Sequence, residues 1–192
     1  PILFRRIEAR KEADPDVRII VADPRHTASC AGADLHLPLR PGTDVALFLG
    51  MARHLWRTGQ IDHAFIERHV SGWEDYLESL AQWTLPRTAS VCGLREGDIA
   101  RAADGLGGER RFLSLWTMGL NQSAAGTDKN TALIALSLIT GKIGKPGCGP
   151  FSLTGQPNAM GGREVGGMAT LLSAHRDLAN PEHRAAVANF WG

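Results

Sequence analysis

Asp23-Pro24-Arg25 follows directly on Val17-Arg18-Ile19-Ile20-Val21-Ala22, a β-branched run of the kind that forms a buried strand. An acid at the carboxyl end of a parallel strand stands where doubly wound folds hydrogen-bond a nucleotide ribose, and the adjacent guanidinium can meet phosphate or stack on a base. The plainer reading is a solvated turn in which Pro24 ends the strand, and no Gly-x-Gly-x-x-Gly precedes it. Gly42-Thr43-Asp44 stands at a predicted helix start, where free N–H groups suit an anion and the acid suits the amino-imino edge of guanine; simple capping by Thr43 competes with that. Met118-Gly119-Leu120-Asn121-Gln122 closes a second predicted strand with a carboxamide pair at a position where ligands collect, although turn residues look the same. Arg163, flanked by Gly161-Gly162 and Gly166-Gly167, can hold an oxyanion bidentately, unless Glu164 neutralises it in a surface pair.

Other reactive types are unpromising. Cys30, Cys92 and Cys148 form no Cys-x-x-Cys, so neither a zinc nor an iron-sulfur nest is encoded, and Cys148 between glycines reads as a small filler. The seven histidines are scattered without metal-ligand spacing, and no serine has a nucleophile-elbow context.

The elements that must position these residues alternate. A helix over 2–13, with Leu3, Ile7 and Ala9 inward, precedes the first strand, and a short strand over 35–39 precedes a helix whose Val45, Phe48, Leu49, Ala52, Leu55 and Trp56 recur at helical spacing until Gly59. Helices are predicted at 62–69, 73–82 and 96–103, a buried strand at 111–117, and a helix opened by Thr127-Asp128 with Leu133, Ile134, Leu136 and Ile139 inward. Residues 141–167 hold nine of the 22 glycines and read as a long irregular ligand-contacting loop. Asn180-Pro181-Glu182 then starts a last helix. Strands alternating with amphipathic helices predict an α/β fold: a layered αβα, Rossmann-like domain with a mainly parallel sheet.

A chain of 192 residues with 43% hydrophobic content buries a core, and a net charge of +1 without like-charge blocks argues against nucleic-acid binding. No apolar run is long enough for a membrane span, and no leader pattern opens the chain. A start at Pro1 and a stop at Trp191-Gly192 suggest a central piece, 1–192, of a larger multidomain chain.

Five stretches together carry a resemblance: Asp23-Pro24-Arg25; Ala33 through Asp44; Met118 through Gln122; Thr140 through Gly147; and the string from Gly149 through Gly167, which includes Ser152-Leu153-Thr154-Gly155-Gln156-Pro157-Asn158. In this order they resemble the molybdopterin oxidoreductases of the formate dehydrogenase/DMSO reductase superfamily, and among them the catalytic subunits of assimilatory nitrate reductases. The resemblance spans the whole chain. It implies molybdenum bis(molybdopterin guanine dinucleotide) as cofactor, with a [4Fe-4S] cluster in a domain outside this segment. It further implies that Asp23, Pro24, Arg25, His26 and Thr27, with Gly42, Thr43 and Asp44, line the guanosine end of one dinucleotide. Met118 and Gln122 would contact the pterin side, and Met118 with Arg163 would wall the substrate site, Arg163 anchoring nitrate. The family's cluster cysteines, its molybdenum-ligating cysteine and its carboxyl-terminal domain are missing, so the fragment alone is expected to be inactive. Expected partners are nitrate, the remaining domains of the same chain, and a ferredoxin, flavoprotein or NAD(P)H-linked electron donor, in the cytoplasm, with no nucleic acid and no membrane. A formate dehydrogenase-like subunit and a non-catalytic guanine-nucleotide-binding α/β module are the alternatives.

Overall fold

The computed structural model describes residues 2–156, 158–167 and 169–192. They fall into two compact units divided between Ser152 and Leu153. The boundary falls inside the glycine-rich stretch.

In the first unit, helix α1 (Ile2–Ala13) buries no residue, and Leu3, expected inward, is exposed. Tethering replaces packing: the Lys11 ammonium donates to the Gly32 carbonyl (2.9 Å) and the Asp34 carboxylate (2.6 Å). The Lys11 hydrogen bond, helped by the Ile19 N–H and the charges of Lys11 and Arg18, holds the Asp34 carboxyl below its ordinary range against the opposing cost of burial. Because the folded group releases its proton more readily than the unfolded one, this stabilisation is complete above the usual carboxylate pKa and is lost as pH falls through the lowered value. Lys11→Ala is expected to remove about 0.5–1 kcal/mol at neutral pH. Amide exchange of α1 reads the result: the variant should exchange faster at neutral pH, the unsubstituted chain only on acidification.

Strand β1 (Ile20–Ala22) pairs in parallel with β2 (Leu35–Leu37), Ile20 opposite Leu35 and Ala22 opposite Leu37. Leu35, Leu37 and Leu39 point into the core, and the chain then enters α2 (Asp44–Arg57), the central helix. Seven of its residues are buried, from Ala46 through Leu55. α2 takes α3 (His63–His69) as the next element in sequence, and packs against α4 (Trp73–Leu80), α5 (Leu85–Cys92), α6 (Glu96–Asp104) and a later helix, α8. α5 was not foreseen; Thr84, whose hydroxyl accepts the Arg87 N–H, caps it ahead of a first-turn Pro86. The α2–α5 crossing is close because Gly50 has no side chain: a Cβ there would collide with the buried Thr88.

Strand β3 (Leu113–Trp116) leads into a single helical turn, α7 (Met118–Asn121), and then α8 (Gly126–Ile139). Leu133, Leu136 and Ile139 are buried as predicted, while Ile134 is half-buried. β3 pairs in parallel with β4 (Gly149–Ser152), Leu115 opposite Phe151, and Leu113, Leu115 and Phe151 are exposed. The parallel direction is as expected, but the described strands form two separate pairs rather than one broad sheet. Strands of three and four residues supply few ladder bonds, and α2 and α8 take the centre of the core instead.

The second unit carries α9 (Ala159–Glu164), a 3₁₀ turn at Ser173–His175, and α10 (Pro181–Trp191), with Val187 buried. The Asn180 side chain caps α10 by accepting from the N–H groups of Glu182 (2.9 Å) and His183 (3.4 Å), as its sequence signature predicts. Residues 141–167 are thus more regular than a structureless loop, since they hold both β4 and α9.

Candidate functional site

The carboxyl ends of the parallel strands and the starts of α2 and α8 form the candidate site of the first unit. Asp23 leaves β1 as half-buried backbone: its N–H donates to the Leu37 carbonyl (3.2 Å) and its carbonyl meets the His36 ring nitrogen at 2.8 Å. Its carboxylate accepts the Arg25 N–H at 2.8 Å, an Asx turn that fixes Pro24 and turns Arg25 and His26 outward. The His26 ring stands edge-on to His36, centroids 5.4 Å apart, and the Thr27 hydroxyl lies 3.6 Å from the Cys30 thiol. Local contacts therefore hold the whole 23–27 run in place.

Thr43 occupies the cap position of α2 but does not cap it. Its φ of −100° and ψ of 13° lie outside the extended conformation that a capping hydroxyl needs, and the hydroxyl instead donates to the Arg40 carbonyl at 2.7 Å. Asp44, the first residue of α2, meets the Lys129 ammonium at 2.7 Å. Lys129 lies in the first turn of α8 and its side chain is 8% exposed, against 17% for Asp44. The sequence reading did not pair Lys129 with Asp44, because 85 positions separate the two charges. Gly42 has φ +85°, a backbone that favours glycine, and it turns the chain ahead of Thr43. The Cys92 thiol lies beneath this corner, 3.6 Å from the Thr43 carbonyl, and burial pushes its pKa up.

α8 also joins this corner to the end of β3. The Trp116 indole N–H is shared between the side-chain oxygens of Asn130 (2.6 Å) and Asn121 (3.0 Å), Asn130 donates back to the Gly126 carbonyl (2.7 Å), and the Asn121 amide donates to the Ser152 hydroxyl (3.3 Å). This network seats α7, so that Met118 is 51% exposed and Gln122 is exposed, its side chain without a hydrogen-bond partner among the described residues. Asn121 thus serves the scaffold, whereas the side chains of Met118 and Gln122 stand exposed.

Arg163 belongs to the second unit, on α9. Asn158 at φ 56° starts that helix by accepting the Gly161 N–H (3.2 Å). Arg163 is exposed and makes no ion pair among the described residues, so Glu164 does not neutralise it. The cysteines are all free, and no cluster of three or more His, Cys, Asp or Glu suited to a metal occurs among the described residues. No helix there is long and apolar enough to cross a membrane.

The family model described as molybdopterin oxidoreductase matches residues 1–190. A nitrate reductase of Synechocystis sp. is 46% identical over the whole of this chain, which covers 27% of that protein, and a nitrate reductase of Klebsiella oxytoca is 45% identical over the whole chain, which covers 22%. The chain thus spans about a quarter of the length of these relatives. Among solved structures, acetylene hydratase from Pelobacter acetylenicus superposes with a TM-score of 0.65 at 28% identity, over 72% of this chain and 19% of that one. With the family match reaching from the first residue to α10, the chain belongs to the molybdopterin oxidoreductase family.

Proposed function

We propose that this segment supplies one cofactor half-site and the substrate arginine of a molybdenum-dependent nitrate reductase catalytic subunit. The observation that carries the reading is the placement of Asp23, Asp44 and Met118 at the carboxyl end of a parallel strand or the helix start that follows one, with Gln122 one turn beyond Met118 at the end of α7. The groups fit a guanine dinucleotide. Asp44 keeps one carboxylate oxygen without a partner among the described residues, where guanine's N–H donors can bind, and Gln122 offers a free carboxamide beside the apolar Met118. Asp23 through Thr27 and Gly42 through Asp44 hold the guanosine end, and Met118 and Gln122 face the pterin.

When bound, molybdenum bis(molybdopterin guanine dinucleotide) supplies the two-electron oxygen-atom transfer that turns nitrate into nitrite. Arg163 binds the anion: its five fixed N–H donors match the planar oxygens of nitrate and lower the cost of bringing a negative charge to an electron-rich centre. Met118, exposed at the start of α7, gives the pterin side an apolar neighbour. The metal ligand and the [4Fe-4S] cluster belong to parts of the protein outside this segment, and the segment alone is inactive. The electron donor is a ferredoxin, a flavoprotein or an NAD(P)H-linked subunit, and the reaction is assimilatory and cytoplasmic.

The test is metal analysis of the complete polypeptide, with nitrate- and formate-dependent turnover measured through an artificial electron carrier. Molybdenum with nitrite formation is expected. Formate turnover without nitrite would replace nitrate by formate as substrate, and a fully matured protein without molybdenum would leave a guanine-nucleotide-binding α/β module.

A further inference from the structure

We infer that Lys129 is a positioning residue for the cofactor, pairing the Asp44 carboxylate so that its free oxygen meets guanine. The inference rests on the reading of Asp44 as a guanine ligand.

Three observations lead to it. Lys129 stands in the first turn of a fourteen-residue helix, where the helix dipole disfavours a cation, and its side chain is nonetheless 8% exposed. A buried ammonium is tolerated only with a partner, and Asp44 at 2.7 Å is the partner, itself the first residue of another fourteen-residue helix. If the pair served only to join α2 to α8, apolar side chains of similar volume would serve as well or better. The sequence neighbours of the pair, Val45 of α2 and Asp128 of α8, line a cavity of about 410 Å³ whose other walls, Leu49, Trp73, Ala132 and Ala135 among them, are mainly apolar.

The geometry gives the pair a use that packing does not require. The ammonium lies 2.7 Å from Oδ2 of Asp44, and Oδ1 has no partner among the described residues. A carboxylate held in this way accepts the N1–H and amino donors of guanine, and a neighbouring ammonium offsets the cost of desolvating it when the base arrives. Without Lys129 the Asp44 carboxylate, 17% exposed, has no cationic partner among the described residues.

The test uses the complete polypeptide carrying Lys129→Met, Lys129→Arg or Asp44→Asn. The readouts are molybdenum and acid-released guanine nucleotide per chain, and the unfolding midpoint of the cofactor-free protein. Losing one charge-assisted interaction is expected to weaken retention in Lys129→Met by about tenfold or more, molybdenum and guanine falling together. Lys129→Arg, which keeps the charge, should retain most of both. Lys129→Gln, which keeps a donor without the charge, replaces Lys129→Met if the latter does not fold, with loss again expected. Full retention in Lys129→Met or Lys129→Gln, with only a lower unfolding midpoint, would overturn the inference and leave a structural ion pair. Full retention in Asp44→Asn would instead remove Asp44 from the guanine site. The inference and the reading beneath it therefore fail separately.

Discussion

Arg163→Ala in the complete polypeptide should lower kcat/KM for nitrate by roughly 10- to 100-fold, the equivalent of about 1.5–3 kcal/mol for a hydrogen bond to a charged group. Molybdenum content should not change. The size of the effect follows from what Arg163 does not do in the fold: it is exposed, it makes no ion pair among the described residues, and it lies one turn into a helix that Asn158 starts without it. Removing it costs the scaffold little, so the loss falls on the anion. Arg163→Lys separates charge from shape, because lysine keeps the positive charge and gives up the planar fork. Its expected activity is intermediate, with KM rising more than kcat falls. An unchanged KM and kcat in Arg163→Ala, measured as nitrite formed per molybdenum, would remove Arg163 from the site.

The largest expected effect on stability comes from Gly50→Val. An added Cβ at Gly50 meets the Cβ, Cγ2 and Oγ1 of Thr88 inside contact distance, and Thr88 is fully buried with nowhere to turn. Overpacking of this kind costs about 3 kcal/mol, and here it pushes apart two helices of the central core. The amides of α2 should exchange much faster in the variant, since its inner residues, Ala52 and Leu55 among them, are wholly buried and depend on that crossing. Gly50→Ala should be milder, and Thr88→Ala added to it should recover part of the protection because two of the three colliding atoms are gone. Protection equal to that of the unsubstituted chain in Gly50→Val would show that α5 yields without cost.

What the sequence made legible was local. α2 could be read to within a residue or two because its apolar spacing runs between Thr43 and Gly59, and α10 because Asn180-Pro181-Glu182 is a complete start signal. α5 carried a comparable signal in Thr84 and Pro86, which only needed to be weighed. α1 misled for a physical reason: its few apolar residues suggest an inward face, yet it is held by one lysine rather than by burial. The candidate site divides in the same way. Asp23, Asp44 and Met118 announce themselves by standing next to strands and helix starts, whereas Lys129 acquires its meaning only when two distant helix starts meet. Thr43 shows the limit of a residue-type rule, since the hydroxyl was right for a cap and the backbone was not.

The β3–β4 pair has a practical consequence for anyone producing residues 1–192 separately. Leu113, Leu115 and Phe151 are exposed on two short strands that, among the described residues, pair only with each other. Outer strand edges next to uncovered apolar side chains are templates for another copy of the same strand. Yield on refolding should therefore fall as protein concentration rises, and a lysine at Leu115 should act as a gatekeeper that restores solubility without touching the core.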